Sequence, residues 1–548
     1  MALPATGAVF AAGFIDTDTA LAREASTTPG KDLGARVYNI RDFGAKGDRA
    51  TLDTTALQAA IDACTRDGGG TVLVPAGTFT IGTVELKSNV TLHIAAGGTL
   101  LGSADGKQYH AVDAIPLHGD TTLNDGNWAM FFAVHAKNIA IEGPGTIDGQ
   151  GAQFHSQQRG APAPSGLHGN QRPYFVLVYQ CEDFSVRNIS MIDCAYHAIR
   201  IIESQRLNMD RIYIHSRVNS NNDGFHFVSA EYVTISNCVI KCGDDACAMF
   251  GSCQNITVTN SFFSTRWSVF RFGGGHAHNV AVSNCVLSQV YGCPFKFQGD
   301  PGSRFENMSF SNIVLDEVTG PISISVGGRL AAPDDKTPVV VRNISFSNIH
   351  GTVTTAPPAM LPESDLGVGH RPGEAHSAIV LNSVNGAVLE NISFCDVHLT
   401  FGGGGTAEEG AQRDVPKVFG EYFRLGPIPA YGLYARNARG LTLQNVRFEV
   451  STPELRPAVI FDHVEDAVFN GFSVQGNPQA ESVLRFIGSK QTLITAARVL
   501  TASSPFLQLE GDANEGIIVE GGDLSRASVP VTFKNGAAEK SVKLRNVL

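Results

Sequence analysis

From Phe184 onward the chain repeats a short phrase in which apolar and small polar positions alternate, usually with an asparagine before the last residue. It reads FSVRNI at 184, LNMDRI at 207, VTISNC at 233, ITVTNS at 256, VAVSNC at 280, MSFSNI at 308, ISFSNI at 344 and LTLQNV at 441. A period of two predicts a strand with one buried face. Between 184 and 280 the phrases start 23 to 26 residues apart, the spacing of a solenoid repeat. Stacked in order, such units form a parallel β-helix in which each coil pairs with its neighbours and buries a continuous core. The recurring asparagine suits a turn, where its side chain can bond nearby backbone.

Upstream the period changes. Leu57, Ala60, Ile61 and Cys64 keep helical spacing, Asp53 or Thr54 can cap the start, and Gly68 to Gly70 ends the run, which predicts a helix over about 54–66. A helix there would cover the open end of the first coil, whose core and strand edges would otherwise face water. Residues 36–548 are read as one β-helix domain. Residues 1–35 are read as a flexible terminus or the remnant of a trimmed leader, because their apolar start lacks the positive region of a secretory signal. The repeat is interrupted at 104–130, 150–174, 351–376 and 402–430, insertions that carry Trp128, His155, His168, Arg172, a proline-rich run and GGGG. Long loops on a rigid scaffold commonly carry binding function, and these are expected to wall a groove.

Composition narrows the picture. Charged residues make up 17% of the 548, the net charge is −11, and no lysine or arginine run forms a basic arm, so nucleic acid is not an expected partner. No segment approaches the roughly 18 apolar residues of a membrane helix. Six of the ten cysteines (Cys238, Cys242, Cys247, Cys253, Cys285 and Cys293) crowd the central coils without the paired spacing of a zinc site. They are read as buried packing thiols, with room for a disulfide or two. Asn188, Asn255, Asn307, Asn343 and Asn391 sit in N-x-S/T sequons, but strand alternation after a turn asparagine produces that pattern without glycosylation.

The chemistry gathers in NNDGFHF and CGDDACAMFG. Asp223 precedes Asp244 and Asp245 by 21 and 22 positions, close to one coil, and equivalent positions on adjacent coils stack about 4.8 Å apart. Three carboxylates should therefore converge. At about 6 Å and an effective dielectric of about 20, two such charges repel by about 3 kcal/mol, or about two pKa units. At least one acid should keep its proton near neutrality, beside another that is ionised, as glycoside hydrolysis requires. Adjacent acids on a regular strand would face opposite ways, so Asp244 and Asp245 can share a site only where the backbone bends, which the preceding Gly243 eases. Taken alone, Asp223 in N-D-G also fits an ordinary turn.

The opening YNIRDFGAKGD with its helix resembles the pectinase-like β-helix superfamily, and the two acidic motifs resemble the N-T-D-G and G-D-D signatures of glycoside hydrolase family 28, the polygalacturonase-like family. The resemblance extends through TIDGQG, QRP and PVVVRNISFSNI to PAYGLYARNARGLTLQNVRF and RPAVIFDHVEDA. It implies an all-β, right-handed parallel β-helix that hydrolyses glycosidic bonds by inverting single displacement. Asp244 would be the general acid, and Asp223 and Asp245 would activate water, with Asn221 or Asn222 in support. Two departures stand out. STRWSVF replaces the family's G-H-G, putting Arg266 or Trp267 at the auxiliary histidine, and Pro294-Phe295-Lys296 replaces R-I-K, leaving only the lysine.

Arg266, Arg271 and Lys296 could rebuild an anion site, since guanidinium groups suit carboxylates; equally, the sugar there could be neutral. Trp267 offers a stacking face or fills a ladder position. Asn222, His197 and His226 complete the candidate substrate contacts, with structural histidines as the alternative for the last two.

The expected partner is an oligo- or polysaccharide, pectin-related or another plant or microbial glycan. The mechanism needs no metal or other cofactor, and the loops favour exo action. A secreted or periplasmic location follows from the polymeric substrate. Two other functions fit the same residues: a lyase with Ca²⁺ on Asp223, Asp244 and Asp245 and with Arg266 or Arg271 as base, or a non-catalytic glycan-binding β-helix.

Overall fold

The computed structural model describes residues 36–115, 127–155, 162–167, 171–299, 301–327, 337–357 and 370–547. The segment 1–35 and His168 lie outside the described residues.

The opening helix spans Thr54–Arg66 and buries Leu57, Ala60, Ile61 and Cys64, the apolar stripe read from the sequence. Its cap differs from expectation. The Asp53 carboxylate accepts the Lys46 and Gly47 N–H groups at 2.7 and 3.0 Å instead of bonding the helix. Thr54 Oγ1 accepts the Gly82 N–H at 2.8 Å. Both side chains thus tie the helix to its neighbours. At the far end Gly69 has φ of 116°, and a Cβ there would meet the Asn89 carbonyl at 2.6 Å, so the stop requires glycine.

Beyond the helix the strands pair in parallel within two sheets of 25 and 15 strands. The larger sheet turns a corner along its length. Its long strand Gln205–Ser216 meets two strands of the next coil, Glu231–Ser236 and Val239–Cys242. Each such coil therefore presents three faces, two from the larger sheet and one from the smaller.

The corner is a single left-handed residue: Asn188, Asn237, Asn260, Asn284, Asn312, Asn348 and Asn445 all have φ between 49° and 57°. Asparagine tolerates that conformation better than most residues, which explains its recurrence. Its amide bonds mainly along the axis rather than to nearby backbone. Asn312 Nδ2 donates to Asn284 Oδ1 at 3.1 Å, and Asn348 donates to Asn312 at 2.8 Å. A second ladder links Asn279 to Asn255, Asn343 to Asn307 and Asn391 to Asn343, at 3.1 to 3.2 Å. Four of the five sequon asparagines lie in that second ladder.

One apolar core runs from Ile40 to Leu524. At its centre Phe295, Phe310, Phe346 and Phe394 follow one another with ring centroids 4.9 to 5.4 Å apart. All ten thiols are free and nine are buried. Burial pushes Cys238 up to about 12 and Cys285 to about 11, so these cysteines behave as small apolar residues.

Phe346 is fully buried between two aromatic neighbours. Phe346→Ala should lower the unfolding free energy by about 3–5 kcal/mol, measured by denaturant titration; a loss under about 1 kcal/mol would mean the interior closes around the cavity.

Candidate active site

The smaller sheet builds the site. In its strands Ile199–Ile202, Phe225–Val228, Cys247–Phe250, Ser268–Gly273 and Cys293–Gln298, the residues Arg200, His226, Ala248, Arg271 and Lys296 stand in one register. Their neighbours on either side, such as Phe225, Phe227, Phe270 and Phe295, fill the core. The ladder therefore projects from the outer face. Just before each strand comes the turn at which the chain enters this sheet, and those turns carry His197, Asp223, Asp244 with Asp245, and Arg266 with Trp267.

The turns are pinned by backbone. Gly243 N and Asp244 N both donate to the Asn222 carbonyl at 3.1 Å, bending the chain where the adjacent acids must share a side. Gly243 achieves this without a positive φ. Gly224 is required by proximity, since a Cβ there would meet the Ala246 carbonyl at 2.6 Å. Asn222 is fully buried: its Oδ1 accepts from Asn219 N at 2.7 Å, and its Nδ2 donates to the Cys194 and Tyr196 carbonyls at 2.9 Å. With its amide used to hold the turn, Asn222 is not a substrate contact. Asn221 reaches the acids instead, at 3.5 Å from Asp244 Oδ2, and is itself held by Arg172 at 3.1 Å.

Asp223 is 4% exposed, and its Oδ2 lies 2.7 Å from His226 Nδ1 and 3.8 Å from His197 Nε2. Burial, then the charges of Asp244 and Asp245, hold Asp223 well above the usual carboxylate range. Burial and Asp245 push Asp244 up to about 6, against the pull of Lys296 and Arg271. Asp245 is flanked by Arg271 Nε at 3.5 Å and Lys296 Nζ at 3.7 Å. The cluster thus retains a proton under mildly acidic conditions, with a cation pair on one side.

His197 and His226 stack with centroids 4.4 Å apart, and both are buried, His226 lying flat on Phe250 at 5.1 Å. Burial, first of all, drives both well below the ordinary imidazole value. They pack among Tyr174, Tyr196 and Phe250, with Asp223 beside both imidazoles. Together with Asp223 they are the one group among the described residues with metal-ligand spacing, their ligand atoms lying within 4.8 Å of one another.

Arg266 leaves the expected anion site. Its guanidinium pairs with the buried Glu374 at 3.0 Å and donates to the Tyr291 carbonyl. A buried charge has to find a partner, and Glu374 supplies one. Arg271 and Lys296 do stand together, but Glu421 meets both, at 3.3 and 3.4 Å, and accepts from Gln298 Nε2. Trp267 faces the cleft with Arg371 over its ring at 3.7 Å and Lys296 at 5.0 Å, so cations already use its π surface. Arg371, Glu374 and Glu421 were not singled out in the sequence; they lie in the insertions at 351–376 and 402–430, where no periodicity marks them.

The comparisons with known proteins agree with this architecture. The profile of Glycosyl hydrolases family 28 matches residues 64–365, just over half of the chain. An exopolygalacturonase of Platanus acerifolia is 23% identical over 391 residues, covering 69% of this chain and 93% of that protein. An exo-poly-alpha-D-galacturonosidase of Dickeya chrysanthemi is 27% identical over 349 residues, 53% of this chain and 57% of its own length. Among solved structures, the exopolygalacturonase of Thermotoga maritima superposes with a TM-score of 0.56 at 20% identity, covering 76% of this chain and 92% of that one. These neighbours share the right-handed parallel β-helix. The extent of the family match, on that fold, shows that this chain belongs to glycosyl hydrolases family 28.

Proposed function

We propose that this glycoside hydrolase cleaves pectin-related polysaccharide from a chain end, outside the cell, by inverting single displacement. The observation that carries the reading is the triad of Asp223, Asp244 and Asp245, the first and last buried and Asp244 half-buried, in which a carboxyl raised to about 6 stands beside one flanked by two cations. Asp244 gives its proton to the departing glycosidic oxygen. Asp223 and Asp245 take a proton from the water that attacks the anomeric carbon from the opposite face. His226 fixes the orientation of Asp223 through the 2.7 Å contact. Exo action draws support from the insertions, which bring Arg172, Arg371 and Glu421 around the acids, and from the names of the Platanus and Dickeya relatives.

The charges count against a lyase. Asp245 already faces Arg271 and Lys296, so Ca²⁺ would have to bind against two cations. Arg266 is spent on Glu374, and Arg271 on Asp245 and Glu421, which leaves neither guanidine free to take a proton.

Product analysis tests the reading. Against a panel of pectic and neutral oligosaccharides, wild type should release saturated sugar of inverted configuration, seen by anomeric NMR, and should keep its rate in chelator. Asp244→Asn should lose about 10²–10⁴-fold in kcat. Unsaturated product, or an Asp244→Asn variant as fast as wild type, would defeat it.

The pH profile follows from the same groups. Asp244 must be protonated to act, so kcat/KM should fall as pH rises through about 6. Lys296 favours the ionised form of Asp244; Lys296→Met should therefore raise that pKa and move the alkaline limb to higher pH. A limb that stayed fixed or moved down would show that another group controls it.

A further inference from the structure

Arg271 and Lys296 are two cations one coil apart beside the catalytic acids, the kind of place where a sugar carboxylate would be bound. That place is taken. Glu421 Oε1 lies 3.3 Å from Arg271 and 3.4 Å from Lys296, and its Oε2 accepts from Gln298.

Glu421 is built in rather than loosely tethered. Gly420, at a φ of 107°, donates its N–H to the Ser325 carbonyl at 3.1 Å, which anchors the loop to the sheet. The following Tyr422 is buried, and Phe423 packs edge-on against Trp267 at 6.0 Å. The two cations and Gln298 hold Glu421 down to about 2, in its charged form.

The local charges then balance: Arg271 and Lys296 face Asp245 and Glu421. A uronic acid would bring a third carboxylate to the same two cations. The other basic groups nearby are engaged. Arg266 pairs with Glu374, Arg371 covers Trp267 and donates to the Tyr291 carbonyl, Arg172 holds Ser220 and Asn221, and Arg200 is buried against Tyr174.

Resting on the hydrolase reading, we infer that Glu421 is a specificity determinant: it occupies the carboxylate position of the subsite over Arg271 and Lys296, so that the sugar cleaved there is neutral rather than a uronic acid. An uncharged pyranose can place a hydroxyl or hydroxymethyl group against Glu421 and Gln298, whereas a uronate would set one carboxylate against another.

Two measurements test this. By calorimetry, wild type should bind D-galactose but bind D-galacturonic acid at least about tenfold more weakly. Glu421→Gln, which keeps the shape and removes the charge, should strengthen galacturonate binding by about tenfold or more and so narrow or reverse the preference for galactose. By kinetics, wild type should prefer neutral aryl α-glycosides over the corresponding α-galacturonide by about 100-fold in kcat/KM.

Tighter binding of galacturonate than galactose by wild type, or faster cleavage of the galacturonide, would overturn the inference while leaving the hydrolase reading intact. So would unchanged galacturonate affinity in a Glu421→Gln variant that melts like wild type. If no glycoside were cleaved at all, the hydrolase reading would fall, and the wild-type affinities would still decide which sugar class the subsite takes.

Discussion

Every feature of this molecule depends on the coil repeat, which sets residues one turn apart at the spacing of paired strands, about 4.8 Å. Like then stacks on like. For apolar side chains this is favourable, and the phenylalanines from Phe295 to Phe394 form a continuous file. Asparagine is satisfied in the same way, because an amide is both donor and acceptor and can bond its own copy. Charge is the exception. Arg271 and Lys296 are register partners, and at that spacing, with an effective dielectric of about 20, they repel by about 3 kcal/mol. The fold can hold them only by setting carboxylates against them.

The carboxylates come from two sources. Asp245 belongs to the repeat, at the turn one coil before Arg271, whereas Glu421 arrives from an insertion 125 residues after Lys296. Arg266 and Glu374 show the same arrangement, a coil residue matched by a loop residue 108 positions away. The insertions are thus part of the electrostatic structure of the site as well as its walls. Losing one partner of such a buried pair would strand the other without solvent, which is costlier than the pair is stabilising.

This division explains what the sequence disclosed. The phrase beginning at 184, the helix over 54–66 and the spacing of Asp223 from Asp244 and Asp245 are local or periodic, and each appears in the structure where the pattern placed it. Partners spanning a hundred residues leave no period, so Glu374, Arg371 and Glu421 carried no signal. Arg266 was misread for the same reason: its position beside the acids was legible, but the carboxylate that turns it away was not. Asn222 failed differently. Among neighbouring asparagines, composition could not show that its amide would be used up by the Asn219 N–H and two carbonyls. His197 and His226 were legible as candidates near Asp223, whereas their packing among Tyr174, Tyr196 and Phe250 was not.

The cation pair can be understood through the acids it faces. Burial raises Asp223 and Asp244; Asp244 and Asp245 raise Asp223 further, and Asp245 raises Asp244. Without the opposing cations Asp223 and Asp244 would stand higher still. Arg271 and Lys296 pull against that tendency, drawing Asp244 back to about 6 while flanking Asp245. The two cations thus face carboxylates of the chain itself, Asp245 on one side and Glu421 on the other.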